Sequence, residues 1–157
     1  MHIEPYSGKY DKQIIDLILS IQNNEAKINL SLEEQPDLMD IHRYYQQADG
    51  EFFLAMEGET VIGTLAIMLR ENNCAVMKKF FVRADYRSKK VGLALYERVL
   101  AFAQAHGVQH MILDTPSVAH AAHRFYERAG FRKITADELP VPYSYPDRDS
   151  LLYLLDL

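Results

Sequence analysis

The order of strand and helix patterns along the chain restricts its fold more than any other feature. Three strand patterns follow one another at residues 51–57, 60–70 and 75–82, with short turn signals between them. A helical pattern at residues 91–105 and a strand pattern at 109–114 come next. Short turns join antiparallel strands, whereas a helix between two strands indicates a parallel crossover. The sequence therefore predicts a mixed sheet that is antiparallel in its N-terminal half and contains one parallel βαβ pair.

The remaining patterns complete an α/β (α+β) fold. They predict a short edge strand at residues 2–6, helices at 10–22, 36–50 and 118–129, and strands at 131–134 and 151–155. The helical assignments rest on apolar side chains that recur every three or four positions, such as Ile14, Ile18 and Ile21. We expect a central sheet of about six to seven strands with helices on both faces. A length of 157 residues, 48% of them apolar, suits a single domain over residues 1–157.

Composition and charge limit the partners of the chain. The formal net charge of −5 argues against a nucleic-acid partner and suits a cationic substrate such as an amine. Cys74 is the only cysteine, so neither an intrachain disulfide nor a cysteine-rich zinc site can form, and no metal ion is expected. The sequence lacks a long apolar run and a signal-peptide pattern at its N-terminus, so we expect no membrane partner and a cytoplasmic location.

A basic segment joins the third strand pattern to the helical pattern at residues 91–105. Arg87, Lys89 and Lys90 supply cationic donors, and Gly92 follows them. The first turn of a helix presents unpaired N–H groups and a partial positive charge, which bind phosphate. A glycine there lets the backbone approach the anion closely. The segment therefore predicts a phosphate site at residues 87–92, although composition alone is equally consistent with a solvated basic loop.

Two segments carry a resemblance to a known family. The first reads Arg-Ser-Lys-Lys-Val-Gly at residues 87–92, and the second reads Arg-Phe-Tyr-Glu-Arg-Ala-Gly-Phe at residues 124–131. In this order and at this separation, they resemble the Arg/Gln-x-x-Gly-x-Gly/Ala and Phe/Leu-Tyr-x-x-x-Gly-Phe signatures of the GCN5-related N-acetyltransferase (GNAT) family. Lys90 stands where the first glycine is usual, and Ala119 where an asparagine is common. The resemblance implies the acyl-CoA N-acyltransferase fold, with acetyl-CoA as co-substrate.

The resemblance also implies where acetyl-CoA binds. In this family the fourth and fifth strands separate, and the pantetheine arm of the cofactor lies in the gap against strand backbone. The cofactor-binding residues implied for this chain are Phe80, Phe81, Val82, Arg87, Ser88, Lys89, Lys90, Val91, Gly92, Leu93, Ala94 and Arg128. Met77 and Leu113 are expected to line the gap.

Tyr126 is the catalytic residue that the resemblance implies, because it matches the family tyrosine that commonly protonates the departing thiolate. The alternative is a tyrosine whose hydroxyl only anchors the sulfur atom of the cofactor. The base that takes the proton of the attacking amine stays open, because residues 75–77 contain no glutamate. The available groups are Glu25, Glu33, Glu34, Glu51, Asp114 and His120.

Two functions remain compatible with the sequence. The first is an acetyl-CoA-dependent N-acetyltransferase that acts on a primary amine of a small molecule or peptide, held between residues 22–35 and 140–148. The second is a non-catalytic acyl-CoA sensor or partner-binding module with the same fold, which Lys90 and the missing strand glutamate favour. The oligomeric state stays open, and a homodimer is one alternative.

Overall fold

The strands of the chain form one central sheet in the computed structural model, which describes residues 1–145 and 149–157. Across these ranges, seven strands are arranged in the spatial order β1-β2-β3-β4-β5-β7-β6. Their bounds are β1 (His2–Pro5), β2 (Glu51–Glu57), β3 (Thr60–Arg70), β4 (Cys74–Val82), β5 (His110–Pro116), β6 (Arg132–Ile134) and β7 (Ser150–Asp156).

The pairing of these strands matches the predicted topology. The strands β1 to β4 form an antiparallel series, in which β2 and β3 are a tight hairpin. The strands β4 and β5 are parallel, and β7 pairs antiparallel with both β5 and β6. The predicted mixed sheet with one parallel βαβ pair is therefore confirmed.

Helices cover both faces of the sheet. The α-helices are α1 (Asp11–Ser20), α2 (Val91–Ala105) and α3 (His120–Arg128), and α1 continues into a π-helical turn at Ile21–Glu25. Shorter 3₁₀ turns lie at Pro36–Met39, Ala84–Tyr86 and Ala136–Glu138, and a second π-helical turn lies at His42–Gln46. Among the described residues, no helix is long and apolar enough to cross a membrane.

Alternation along the strands divides the core into two layers. In β2, Phe52 and Leu54 pack with Ile14 and Ile18 of α1, whereas Phe53 and Ala55 point to the other face, where α2 and α3 lie. Beyond β4, the face that carries α1 is covered instead by Leu139, Val141 and Tyr143, which pack on Val76 and Ile112. One side of the sheet thus has a boundary between the α1 region and residues 139–145.

The segment at 36–50 differs from the single helix that its apolar pattern predicts. Its two short helical turns are separated at Asp40, whose backbone is not helical, with φ −154° and ψ 66°. The hydroxyl of Tyr45 donates a hydrogen bond of 2.5 Å to Asp37, which ties the two turns together without a continuous helix. Leu38 and Ile41 are buried, as the pattern predicts. The apolar spacing therefore identified the buried side chains but not the local backbone.

Candidate active site

The parallel ladder between β4 and β5 ends after three residue pairs. The paired residues are Cys74 with His110, Ala75 with Met111, and Val76 with Ile112. Past these pairs the two strands separate, and the gap opens into a cleft of about 560 Å³ that Met77 and Leu113 line. The separation that the family resemblance implies is therefore present, between the strands expected to show it.

A bulge in β4 explains why the strands separate. The register between β3 and β4 shifts past Thr64, and Lys79 adopts a left-handed backbone conformation with φ 59°. The hydroxyl of Thr64 donates a hydrogen bond of 2.7 Å to the Lys79 carbonyl, which stabilises the bulge from β3. An extra residue in a strand bends it and increases its twist. The C-terminal half of β4 is bent in this way just where its pairing with β5 ends.

Four parts of the chain line the cleft. They are the turn and loop after α1 (Gln22, Glu25, Ala26, Ile28 and Leu30), residues 77–82 of β4, residues 113–116 at the end of β5, and α3 with the residues before it, including Ala119, His120 and Tyr126. The predicted acceptor segment at 22–35 thus contributes directly to the cleft. In the other predicted segment, Tyr143 reaches the cleft through Asp114, while residues 146–148 lie outside the described residues.

The edge of β4 that faces the gap presents backbone groups. The N–H of Arg83 donates to the Ile62 carbonyl on β3 at 2.8 Å. Because backbone groups alternate along a strand, those of Val82 and Phe80 point away from β3, into the gap. The Val82 carbonyl accepts a hydrogen bond of 2.9 Å from Nε of Arg87. The Phe81 backbone points to β3, and its side chain contributes to the cleft wall.

The loop before α2 contains two residues in the left-handed backbone region. Ser88 and Lys90 both adopt left-handed backbone conformations, with φ 68° and 63°. This is the region that glycine occupies without strain, so Lys90 has a backbone conformation to which a glycine at this position would be suited. Within the described ranges, the N–H groups of Gly92 and Leu93 donate no hydrogen bond. The first turn of α2, which starts at Val91, therefore presents unpaired donors to solvent.

Basic side chains surround that helix start. Ser88, Lys89 and Lys90 are exposed, and the Lys89 ammonium lies 5.2 Å from the centre of the Tyr86 ring. The Arg87 guanidinium forms an ion pair with Glu25 at 2.6 Å. A Cβ atom added to Gly92 would lie 3.1 Å from Cζ of Phe80, so this glycine also allows α2 to pack closely on the Phe80 ring.

The remaining predicted cofactor-binding residues lie along α2 and α3. Leu93 and Arg128 share a shallow groove with Tyr96, Phe125 and Ala129, formed between the first turn of α2 and the last turn of α3. Ala94 is half-buried, and its N–H donates a hydrogen bond of 3.1 Å to the Lys90 carbonyl. Val91 is buried in the core at the start of α2, whereas the other predicted residues lie between the β4 edge and the outside of α2 and α3.

Tyr126 is buried in α3 and lines the cleft opposite β4. Its ring lies 6.1 Å from that of Phe80 and 5.8 Å from that of Tyr153. Burial raises the pKa of the Tyr126 hydroxyl well above the usual range, and the charge of Asp114 and the nearby Tyr153 raise it further. Its hydroxyl has no hydrogen-bond partner among residues 1–145 and 149–157. Tyr126 therefore offers a protonated hydroxyl to the cleft.

Three of the groups available as a base lie in the cleft, namely Glu25, Asp114 and His120. The other three do not line it: Glu33 is exposed, Glu34 accepts hydrogen bonds from Ser31, and Glu51 accepts one from Gln46. Asp114 accepts a hydrogen bond of 2.7 Å from the Tyr143 hydroxyl. Burial raises the pKa of the Asp114 carboxyl above its usual range, while Tyr143 and Lys78 oppose that rise.

A buried polar cluster beside the bulge could not be predicted from sequence. The amides of Gln22 and Gln35 exchange two hydrogen bonds of 2.9 and 2.8 Å. The Lys79 ammonium donates to Gln35 and lies 3.6 Å from the Asp37 carboxylate. Burial lowers the pKa of Lys79, and Asp37 partly offsets this effect. The cluster attaches the loop after α1 to β4; its one sequence signal is a pair of adjacent lysines within an otherwise apolar strand.

Comparison with known proteins identifies the family. Residues 17–131 match the model of the acetyltransferase (GNAT) family. The chain belongs to the GNAT family. This GNAT chain is similar in structure to an acetyltransferase from Streptococcus agalactiae, with 41% identity, a TM-score of 0.96, and coverage of 99% of this chain and 98% of that chain. The resemblance stated from the two sequence motifs is therefore confirmed.

Two further proteins extend the comparison of this GNAT chain. It is 35% identical over 104 residues to the N-acetylaspartate synthetase of Mus musculus. The aligned region covers 65% of this chain and 35% of that protein. The chain spans about a third of the length of the curated relatives that it matches first. The PaiA N-acetyltransferase of Thermoplasma acidophilum, in complex with coenzyme A, has a TM-score of 0.78 at 16% identity, with 100% of both chains covered. At that identity it supports the GNAT fold alone.

Proposed function

We propose that this GNAT chain transfers the acetyl group of acetyl-CoA to a primary amine by direct attack of the amine on the thioester. The observation that carries this proposal is the gap between β4 and β5, which opens beside the unpaired N–H groups of the α2 start. Family membership supports the same function, and relatives named as acetyltransferases favour catalysis over the acyl-CoA sensor. A protein of the same fold that holds coenzyme A supports the choice of cofactor.

In this proposal the pantetheine arm lies along the gap-facing edge of β4. The backbone groups of Phe80 and Val82 pair with its amides, as with an added strand, and the Phe81 side chain lines the cleft. The pyrophosphate accepts hydrogen bonds from backbone N–H groups between Ser88 and Gly92, with Arg87, Lys89 and Lys90 as cationic donors. The groove of Leu93 and Arg128, next to Ala94 and Val91, receives the nucleotide end of the cofactor.

The chemistry requires one proton acceptor and one proton donor. An alkyl ammonium has a pKa of about 10.4, so the amine that receives the acetyl group must lose a proton before its nitrogen can attack. A new C–N bond forms, the nitrogen releases its second proton to solvent, and the tetrahedral intermediate then breaks the C–S bond to release coenzyme A as a thiolate. A backbone N–H on β4 polarises the thioester carbonyl. Tyr126 donates its proton to the thiolate, a role that suits a hydroxyl kept protonated by burial.

The acceptor is proposed to enter between the loop after α1 and the segment at 140–148. A small molecule and a peptide amine both remain within the proposal. One set of relatives is named for N-acetylaspartate, which makes amino acids a first choice for trial acceptors. A cytoplasmic location stays a proposal that rests on the lone cysteine.

An amine panel tests this function. The purified chain is incubated with acetyl-CoA and single amines, and thiol release is followed together with the mass of the acetylated product. We expect product formation that depends on the amine, with thiol and product in equal amounts. Binding of acetyl-CoA without turnover on any amine would instead support the sensor. Acetyl-CoA hydrolysis without amine is the background to subtract.

A further inference from the structure

Lys78 and Asp114 occupy equivalent positions on the two strands that separate. The last paired residues of the parallel ladder are Val76 and Ile112. Lys78 and Asp114 each follow two residues later, so their side chains project from the same face of the sheet as Val76 and Ile112. That face lies at the boundary between the α1 region and residues 139–145. Both residues line the cleft at the place where the acceptor is proposed to enter.

The two charged groups interact but do not form an ion pair. The positive charge of Lys78 opposes the rise in the pKa of the Asp114 carboxyl, so each lies within the electrostatic range of the other. No carboxylate among the described residues lies within 4.0 Å of the Lys78 ammonium. The charges therefore face one opening with space between them. Such an arrangement is complementary to a small ligand that carries both a positive and a negative group.

The other cations of the cleft already have partners. Lys79 is bound to Gln35 and lies near Asp37, and Arg87 is paired with Glu25. Lys78 is half-buried, so its ammonium loses part of its hydration without an ion-pair partner to compensate. A bound anion would supply that compensation. Lys78 is thus the cleft cation best able to take the anionic part of an acceptor.

Asp114 is supported on one oxygen and open on the other. Its Oδ1 accepts the hydrogen bond from Tyr143, which holds the carboxylate in a fixed orientation. Within the described part of the chain, no side chain donates a hydrogen bond to Oδ2. Tyr126, the proposed acid, lies close enough for the charge of Asp114 to raise the pKa of its hydroxyl. One cleft therefore contains an oriented carboxylate and a protonated hydroxyl, the two groups that acetyl transfer to an amine requires.

We propose that Lys78 and Asp114 form the acceptor site and select a primary amine that carries a carboxylate, such as a free amino acid. This assignment rests on the proposed function. Asp114 binds the ammonium through Oδ2 and takes one of its protons, and Lys78 binds the carboxylate. The neutral nitrogen then forms the C–N bond and releases its second proton to solvent, the C–S bond breaks, and Tyr126 protonates the thiolate. The proton on Asp114 leaves through solvent and Tyr126 regains one from it, so the enzyme returns to its starting state.

The sharpest test compares L-amino acids with their own amides. The amide keeps the amine and the side chain but removes the negative charge. It also lowers the pKa of the amine, so intrinsic reactivity favours the amide. We expect the chain to prefer the acid at least tenfold in kcat/KM. Equal use of acids and amides would overturn the assignment alone, whereas no acetylation of any amine would overturn the proposed function and the assignment with it.

Variants test which residues cause the preference for amino acids over their amides. In Lys78→Met, the KM for the amino acid should rise at least tenfold while the KM for its amide stays unchanged, and Lys78→Arg should restore much of the preference. Lys133→Met, at an exposed lysine on β6, is the matched control and should change neither value. An equal rise for acid and amide in Lys78→Met contradicts carboxylate recognition. Asp114→Asn, which keeps an oxygen for Tyr143, should lower kcat by about 10²-fold or more.

Discussion

The Glu25 carboxylate lies 2.6 Å from the Arg87 guanidinium, and this ion pair joins the turn after α1 to the loop before α2. Both side chains are about two-fifths exposed, so the pair lies at the mouth of the cleft. Arg87 is also one of the groups proposed to hold the pyrophosphate. An anionic cofactor and an anionic side chain therefore compete for the same guanidinium.

Replacement of Glu25 by Gln should tighten acetyl-CoA binding. An exposed ion pair contributes about 0.2–1 kcal/mol, so loss of this competitor corresponds to a decrease in Kd of roughly 1.4- to 5-fold. Isothermal titration calorimetry at low salt measures the change. Asp85→Asn is the matched control, because Asp85 lies in the same loop but pairs with Arg83 at 2.7 Å. A Kd that rises in Glu25→Gln would show that the carboxylate assists binding and would contradict the competition.

Gly92→Val should weaken acetyl-CoA binding at least tenfold, which is about 1.4 kcal/mol. The added side chain would press on the Phe80 ring, which lies 3.1 Å from the position of a Cβ atom, and would crowd the start of α2. Gly92→Ala provides a graded comparison, because one methyl group needs only a small shift of that ring. Calorimetry gives the affinities, and circular dichroism verifies the fold. Unchanged affinity in a folded Gly92→Val would remove the pyrophosphate from this loop.

Tyr126→Phe should lower kcat by roughly 10²-fold while the Kd for acetyl-CoA barely changes, because only the proton donor is lost. If the hydroxyl only anchors the cofactor, affinity and turnover should fall together by about 0.5–1.5 kcal/mol. Tyr153→Phe is the control, since its ring lies 5.8 Å from that of Tyr126 but its hydroxyl donates to Glu127. Wild-type turnover in Tyr126→Phe would leave water as the proton donor.

Asp114→Asn should increase stability at neutral pH although it lowers turnover. Burial raises the pKa of Asp114 in the folded state above the unfolded value of about 3.9. A raised pKa means that the protonated form favours folding; this contribution is complete below about pH 3.9 and is lost as the pH rises through the folded-state pKa. Asparagine does not titrate, so the Tm of the variant should exceed that of the wild type at pH 7.

The same comparison at acidic pH provides the check. Near pH 3.5 the wild-type carboxyl is protonated, so the difference in Tm between Asp114→Asn and wild type should approach zero. A stability change of 1 kcal/mol corresponds to about 2–4 °C for a chain of this size. A variant that melts below the wild type at pH 7 would show that the favourable contacts of the carboxylate outweigh the cost of its burial.

The sequence predicted those features that repeat locally. The apolar period from Val91 to Phe102 and the stop at Gly107 predicted α2 with its observed bounds, Val91–Ala105. The hairpin of β2 and β3 followed from two apolar segments and from the turn at Gly58 between them. The proposed cofactor loop could be identified because its donors are consecutive residues. In each case the physical cause lies within a few residues of its effect.

Features that depend on distant residues could not be predicted. Asp114 is oriented by Tyr143, which is 29 positions away in the sequence. The bulge at Lys79 requires a left-handed conformation at a lysine, against its local preference, and is stabilised by Thr64 on another strand. In the sequence, Asp114 is one of six groups available as the base, and only the fold shows that it lies opposite Lys78. Motifs therefore predicted the family and its cofactor, but the proposal for the acceptor side required three-dimensional contacts.

The short ladder between β4 and β5 has a consequence for the stability of the protein. In the part of the chain that the structure describes, three residue pairs connect the two halves of the sheet, and the edge of β4 beyond them has no neighbouring strand. A cofactor that pairs with this edge would serve as part of the architecture, and it would add RT ln(1 + [L]/Kd) to the free energy of unfolding. The stability of the folded chain would then increase with the concentration of acetyl-CoA, even when no acceptor is present.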